Sequence, residues 1–264
     1  MKRITSREND NIKQVLKLRK KKYRDRDNMF FIEGKKMLGE ALRCRELLVK
    51  IFIEESVAEE YLHFKNTLPG VEKNILDSRL MNTICDTETP QGIAAIVKKP
   101  VWSIENIIDQ KAFFILLDQI SDPGNMGTII RTSWGLGVDG ILLTGGCVDP
   151  FNPKVIRATM GGVFNLPLFV NSLDEHIKLL KKNNYSFMGA SLETEISVYS
   201  MDFKGPLVVV IGSESSGISE EIQGVCEKFF KIPLNPGVDS LNAAVACAII
   251  TSEINKQRRS FSLF

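Results

Sequence analysis

Apolar positions along this chain come in short runs separated by amphipathic stretches, and the alternation runs through twice. In the first pass, Asn9 or Asp10 can cap a helix carrying Ile12, Val15 and Leu16 that continues into a basic run. Met29-Phe30-Phe31-Ile32 reads as a short buried strand. Glu33-Gly34 then turns into a helix with Met37, Leu38, Ala41 and Leu42 on one face. Strands follow at Leu47–Ile53, Ile75-Leu76 and Ile93–Val97, with helices at Glu59–Phe64 and from Asp77/Ser78 through Ile84. Residues 1–97 therefore predict a small α/β domain. Residues 98–110, opened by Lys98-Lys99-Pro100, predict a linker.

The pattern restarts more strongly over residues 111–264. Strands are expected at Phe113–Leu117, Gly140–Leu143, Leu168–Val170, Ser186–Ala190, Leu207–Ile211 and Phe229–Leu234. Helices are expected at Asn125–Leu136, Pro153–Met160, Ser172–Lys182, Ser219–Cys226 and Ser240–Lys256. A strand as continuously apolar as Leu207-Val208-Val209-Val210-Ile211 belongs in a parallel sheet covered on both faces. The fold class is α/β, and ligands of such sheets bind beyond the carboxyl ends of the strands.

Composition narrows the picture. The 264 residues are 44% hydrophobic and 25% charged, ordinary for a globular protein. No apolar run is long enough to span a bilayer, and the polar start lacks the apolar region of a signal peptide. The five cysteines are odd in number, scattered, and form no C-x-x-C pair, which reads as free thiols in a reducing cytoplasm. His63 and His176 are the only histidines, so no His-rich metal site is expected. The net charge of +2 hides an asymmetry, since residues 1–50 hold 16 Lys/Arg against 7 Asp/Glu. Lys17, Arg19, Lys20, Lys21, Lys22, Arg24 and Arg26 form the densest run, and at the end of an otherwise acidic chain they predict a nucleic-acid footprint.

Three loops at strand carboxyl ends carry the candidate chemistry. Asp122-Pro123-Gly124-Asn125 is a turn in which Asn125 can cap the next helix, and Arg131 lies about one and a half turns further on. Gly212-Ser213-Glu214-Ser215-Ser216-Gly217 follows the most apolar strand and presents Glu214 at the sheet edge. It lacks the dinucleotide fingerprint G-x-G-x-x-G. Ile232-Pro233-Leu234 leads through a Pro/Gly/Asp turn to Ser240, a good N-cap, and to Leu241 and Asn242. The helix that follows is apolar on most sides and rich in small residues, as a buried helix bordering a ligand would be.

In this order and spacing the three loops resemble the SpoU (TrmH) family of RNA ribose 2′-O-methyltransferases, within the SPOUT superfamily. Asp122-Pro-Gly-Asn125 through Arg131-Thr132, Asn152-Pro-Lys-Val-Ile-Arg157-Ala-Thr-Met-Gly161, Ile211-Gly212-Ser213-Glu214, and Ile232-Pro-Leu through Ser240-Leu-Asn242 carry the resemblance, over roughly residues 113–257. Residues 1–97, with Phe31-Ile32-Glu33-Gly34, are similar to that family's RNA substrate-binding domain, which is ribosomal-protein L30e-like and related to proteins that bind kinked RNA. The resemblance implies a deep trefoil knot, a homodimer with its site at the subunit interface, and S-adenosyl-methionine as cofactor. By the same analogy the cofactor lies against Ile211, Gly212, Ser191, Ile232, Leu234 and Leu241, and Arg131, Asn125, Glu214, Ser240 and Asn242 are catalytic.

The implied reaction moves a methyl group from a sulfonium to a ribose hydroxyl. The family assigns activation of that hydroxyl to the arginine matching Arg131, from the partner subunit. An arginine does not readily give up its proton, so Arg131 is expected to hold an adjacent phosphate or the developing alkoxide. Asn125, Glu214, Ser240 and Asn242 are expected to orient Arg131 and the ribose by hydrogen bonds. The chain departs from the family at Ser215, where glycine is common, and at Ala243-Ala244, where Val-Ser is common. Ribosomal RNA is the expected substrate. A transfer RNA, a non-catalytic RNA-binding role on the same fold, and a small-molecule methyltransferase are the alternatives, the last leaving the basic N-terminal segment without a purpose.

Overall fold

The computed structural model describes residues 1–258. In chain order the first elements are β1 (Lys2–Ile4), α1 (Asp10–Leu18), α2 (Lys21–Asp27), β2 (Met29–Glu33), α3 (Lys35–Ala41), β3 (Leu48–Glu54), α4 (Phe64–Thr67), β4 (Glu72–Leu76), α5 (Ser78–Ile84) and β5 (Ile93–Lys98). There follow β6 (Phe113–Leu117), α6 (Pro123–Gly135), β7 (Gly140–Leu143), α7 (Pro153–Thr159), α8 (Gly162–Asn165), β8 (Leu168–Phe169) and α9 (Leu173–Lys182). The last are β9 (Ser186–Ala190), β10 (Leu207–Ile211), α10 (Glu220–Gln223), β11 (Lys228–Phe230) and α11 (Ala243–Arg258). Two compact units result: Met1–Val101 with Phe151–Phe164, and Trp102–Pro150 with Asn165 onward.

The first unit is built on a mixed five-stranded sheet of order β1-β4-β3-β5-β2, with β3–β5 and β5–β2 antiparallel. Ile12, Val15 and Leu18 recur at helical spacing and bury α1 against Phe52, Leu76 and Ile96. Segment Phe151–Phe164 joins this unit through Phe151 and Phe164, which pack on the Phe30 ring at centroid distances of 5.1 and 5.7 Å. An ion pair of 2.8 Å between Arg157 and Glu33 adds to it.

The second unit holds a six-stranded, all-parallel sheet of order β11-β9-β10-β6-β7-β8. Every residue of β6, β7 and β10 is buried, as expected of strands covered on both faces. Helix α11 packs along α6. Its last described residue, Arg258, donates to the carbonyls of Phe203 and Lys111 at 2.7 and 2.6 Å and fixes the helix end to the sheet.

Four local expectations are corrected. The first helix stops at Leu18 and the basic run restarts as α2, because the Arg24 guanidinium takes the carbonyls of Leu18 and Arg19 at 2.8 and 2.7 Å. Asp122, not Asn125, caps α6, accepting from the Asn125 N–H at 2.7 Å. The last strand ends at Phe230, since Lys231 leaves the sheet to exchange backbone hydrogen bonds of 2.8 Å with Ile196 and Val198. Helix α11 starts at Ala243 rather than Ser240, because the Asn242 Oδ1 accepts from the N–H groups of Ala244 (3.0 Å) and Val245 (3.3 Å).

Candidate active site

Beyond the carboxyl ends of β9, β10 and β11 lies a cavity of about 330 Å³. Ser191, Ile211, Gly212, Ile232, Leu234 and Leu241 all line it, and so do Glu214 and Ser240. The wall is mainly apolar side chain, yet the chain here has left regular structure. The N–H groups of Gly212, Ile232, Leu234 and Leu241 find no acceptor among the described residues. Such groups want a partner from outside. Gly212 fits no other residue: a Cβ there would sit 2.1 Å from the Gly217 carbonyl carbon. The loop folds back on itself through paired Ser213 and Gly217 hydrogen bonds of 3.0 and 2.9 Å.

Three residues outside the sequence-based set also shape this site. Asp118, 1% exposed, accepts from the Ser219 N–H at 2.7 Å and braces the end of the Gly212–Ser219 loop against β6. A carboxylate directly after an apolar strand is the signal that could have found it. Ala246 and Ile250, four apart on α11, close the cavity floor. Their i, i+4 spacing was legible, but nothing in the sequence tells which face of a helix apolar on most sides meets a ligand.

At the rim, Asn125, Glu214 and Asn242 form one hydrogen-bonded group. The Glu214 Oε1 accepts from the Asn125 Nδ2 (3.1 Å), the Asn242 Nδ2 (2.6 Å) and the Ala243 N–H (2.8 Å). The Asn242 Nδ2 also donates to the Asn125 Oδ1 at 2.8 Å. The Asn125 side chain is available because Asp122 caps its helix. Ser240 shares the cavity but makes no hydrogen bond to this group among the described residues. Arg131 stands apart on the exposed stripe Gly124–Thr128–Arg131–Gly135 of α6, with no hydrogen bond or ion pair among the described residues. Within one chain the structure therefore assembles three of the five candidate catalytic residues.

Two arginines of the basic run are held by the fold, and the other five basic residues stay exposed. Arg24 is 2% exposed, and a buried guanidinium spent on the Leu18 and Arg19 carbonyls cannot reach a phosphate. Arg19 donates to the carbonyls of Thr83, Ile84 and Cys85 at the end of α5 and pairs with Asp86 at 2.9 Å. Lys21 pairs with Asp25 and Arg26 with Asp27. Lys17, Lys20 and Lys22 remain exposed, with no ion pair among the described residues.

The described residues hold no cluster of His, Cys, Asp and Glu suited to a metal ion and no helix able to cross a membrane. All five cysteines are free thiols. Burial pushes the thiols of Cys226 and Cys247 up to about 11, which leaves them protonated and inert near neutral pH.

Residues 112–252, which contain the cavity and the polar group, match the SpoU rRNA Methylase family. The chain belongs to that family. Its first unit also finds a match, residues 9–95 to the MRM3-like substrate binding domain. Among SpoU relatives, the 23S rRNA (guanosine(2553)-2'-O)-methyltransferase RlmP of Bacillus subtilis is 29% identical over 250 residues, covering 95% of this chain and 98% of that protein. The human mitochondrial rRNA methyltransferase 3 is 28% identical over 295 residues, 90% of this chain and 70% of that one. An AdoMet-bound rRNA methyltransferase from Sinorhizobium meliloti superposes with a TM-score of 0.88 at 28% identity, over 98% of this chain and 99% of that chain.

Proposed function

We propose that this SpoU-family chain is an S-adenosyl-methionine-dependent ribosomal-RNA methyltransferase acting on a ribose 2′-hydroxyl. One observation carries the reading: a cavity with unpaired main-chain donors opens beside the Asn125–Glu214–Asn242 group. The volume of about 330 Å³ suits a nucleoside-sized ligand. Ile211, Ile232, Leu234 and Leu241 would hold the adenosine, and the free backbone N–H groups would take its polar atoms. When bound, S-adenosyl-methionine supplies an electrophilic methyl group on a sulfonium. Ribosomal RNA is favoured over transfer RNA by the MRM3-like first unit and by the ribosomal-RNA activities of the relatives named above.

The chain's own residues do the rest. Arg131 supplies a planar fork of donors that cannot act as a base but stabilises negative charge. It holds the alkoxide developing on the ribose oxygen, or the adjacent phosphate, while the hydroxyl proton passes to water. Arg131 is exposed and its side chain has no partner among the described residues, which supports a homodimer in which it serves the partner's cavity. The Asn125–Glu214–Asn242 group fixes the rim against which the ribose lies. The knotted path of the family belongs to this reading through the chain's membership of the SpoU family. The free thiols suit a reducing compartment, and we place the protein in the cytoplasm.

The test is transfer of a radiolabelled methyl group from S-adenosyl-methionine to ribosomal RNA, with the product mapped as alkali-resistant 2′-O-methyl ribose. Label on a base, or none on ribosomal RNA while transfer RNA is labelled, would overturn it.

A further inference from the structure

Arg19 and Arg24 of the basic run are tied to backbone carbonyls while Lys17, Lys20 and Lys22 stay exposed, and the first unit has an open depression of its own that could also hold RNA. About 630 Å³ in volume, it is lined by Lys35, Lys36, Glu54, Ser56, Val57, Pro90, Gln91 and Gly92. It lies wholly within that unit, where the ends of β2 and β3 meet the start of β5. Its frame is rigid for reasons the residues supply. Gly34 and Gly92 have φ of +94° and +72°, a region other residues rarely enter. A Cβ on Gly92 would lie 2.8 Å from the Val57 Cγ2. Three hydrogen bonds tie the walls together: Gly34 N–H to Ile93 O (2.9 Å), Glu54 N–H to Gly92 O (2.8 Å) and Lys35 N–H to the Gln91 Oε1 (2.8 Å).

The lining offers two cations, a free amide donor, a carboxylate and some apolar surface. Lys36 is exposed with no ion pair among the described residues, and Lys35 is held only by a half-exposed pair with Glu60 at 2.8 Å. Exposed pairs of this kind are weak and yield readily to a phosphate. The Gln91 Oε1 is taken by Lys35, so its Nε2, without an acceptor among the described residues, can donate to a base edge. The Glu54 Oε1 already accepts from Ser56 (2.9 Å) and Ser78 (2.7 Å), which orients its carboxylate as an acceptor for exocyclic amines. Val57 and Pro90 offer the apolar surface on which a base lies flat. RNA-binding proteins read sequence mostly from unpaired, splayed nucleotides, which this combination suits.

We infer that this cavity takes a single unpaired ribonucleotide of the RNA substrate, with its phosphate on Lys36 and Lys35 and its base edge on Gln91 and Glu54. The inference rests on the RNA reading above and names where the first unit recognises its substrate.

The test photocrosslinks the full-length protein to total ribosomal RNA labelled with 4-thiouridine and maps the crosslinked peptides. Crosslinks within residues 54–57 or 90–92 are expected. Lys36→Glu should weaken RNA binding by about tenfold, because it replaces a phosphate contact with a repulsive charge. Gln91→Ala should weaken it by about fivefold, as expected for a lost base contact. Both variants should bind S-adenosyl-methionine as the wild type does. Lys36→Gln, which keeps an exposed polar side chain, separates lost charge from altered folding and should fall between wild type and Lys36→Glu. Crosslinks confined to other parts of the chain, with affinity unchanged in all three variants, would overturn this site and leave the RNA reading standing. An absence of any crosslink, with no methyl transfer to RNA, would overturn both.

Discussion

The Asn242 Nδ2 lies 2.6 Å from the Glu214 Oε1, joining the loop after β10 to the start of α11. Asn242 thereby does two jobs, since its Oδ1 caps α11 on the N–H groups of Ala244 and Val245. Replacing it with Ala should cost about 1 kcal/mol as a lost cap. It should also leave the Ser240-Leu241 wall of the cavity without its anchor. Thermal unfolding should register the first effect, and calorimetric titration with S-adenosyl-methionine the second.

Gly212 is the position where the cavity tolerates least. A methyl group there meets the Gly217 backbone at 2.1 Å, and backbone cannot step aside as a side chain would. Gly212→Ala should abolish cofactor binding and lower stability by about 1–3 kcal/mol, the usual range for overpacking. Affinity equal to wild type would show that this loop is not part of the site.

Arg131 has the opposite profile. Exposed and with no side-chain partner among the described residues, it should be removable with a stability change within about 0.5 kcal/mol. Arg131→Ala should nonetheless abolish methyl transfer while S-adenosyl-methionine still binds. Mixing Arg131→Ala with Gly212→Ala protein should restore activity, because a mixed dimer holds one site with a sound cavity and a sound arginine. Failure to complement, with mixed dimers present by native mass spectrometry, would place Arg131 in its own subunit's site.

His176 sets a pH dependence. Its buried Nδ1 has no hydrogen-bond partner among the described residues, and its ring meets Phe169 edge-on at 5.1 Å. Burial holds its pKa below the usual histidine range, with Glu105 and Glu175 partly offsetting the shift. The unfolded chain therefore binds the proton more readily than the folded one. Stability from this group is complete above the ordinary value of about 6.5 and is lost as pH falls towards the depressed folded value. Thermal midpoints measured from pH 7.5 to 5.5 should decline, and His176→Phe should flatten the decline.

Much of this architecture was legible because the physics was local. Leu207–Ile211 could be only a strand covered on both faces, and Asp77 and Asn9 cap the helices their positions suggest. What stayed hidden depends on long-range partners. Asp122 and Asn125 are both good caps, and the choice between them is made by Glu214 and Asn242, far along the chain. Ser240 and Asn242 pose the same ambiguity. The strand Lys2–Ile4 is three residues long and exists only through its pairing with β4. The basic run looked like one surface because sequence cannot show that Arg24 turns inward.

Arg24 yields a separate prediction. Arg24→Ala should destabilise by about 1–3 kcal/mol, since it strips the buried Leu18 carbonyl of a charged donor. Lys20→Ala and Lys22→Ala should leave the unfolding midpoint unchanged. Denaturant titration of the three variants separates the structural arginine from its exposed neighbours.

The decisive experiment compares 2′-O-methyl maps of ribosomal RNA from cells lacking this protein with maps after its restoration in wild-type or Arg131→Ala form. The account predicts a discrete ribose methylation that is lost on deletion, returns with wild type and stays absent with Arg131→Ala. An unchanged map on deletion, or full restoration by Arg131→Ala, would contradict it.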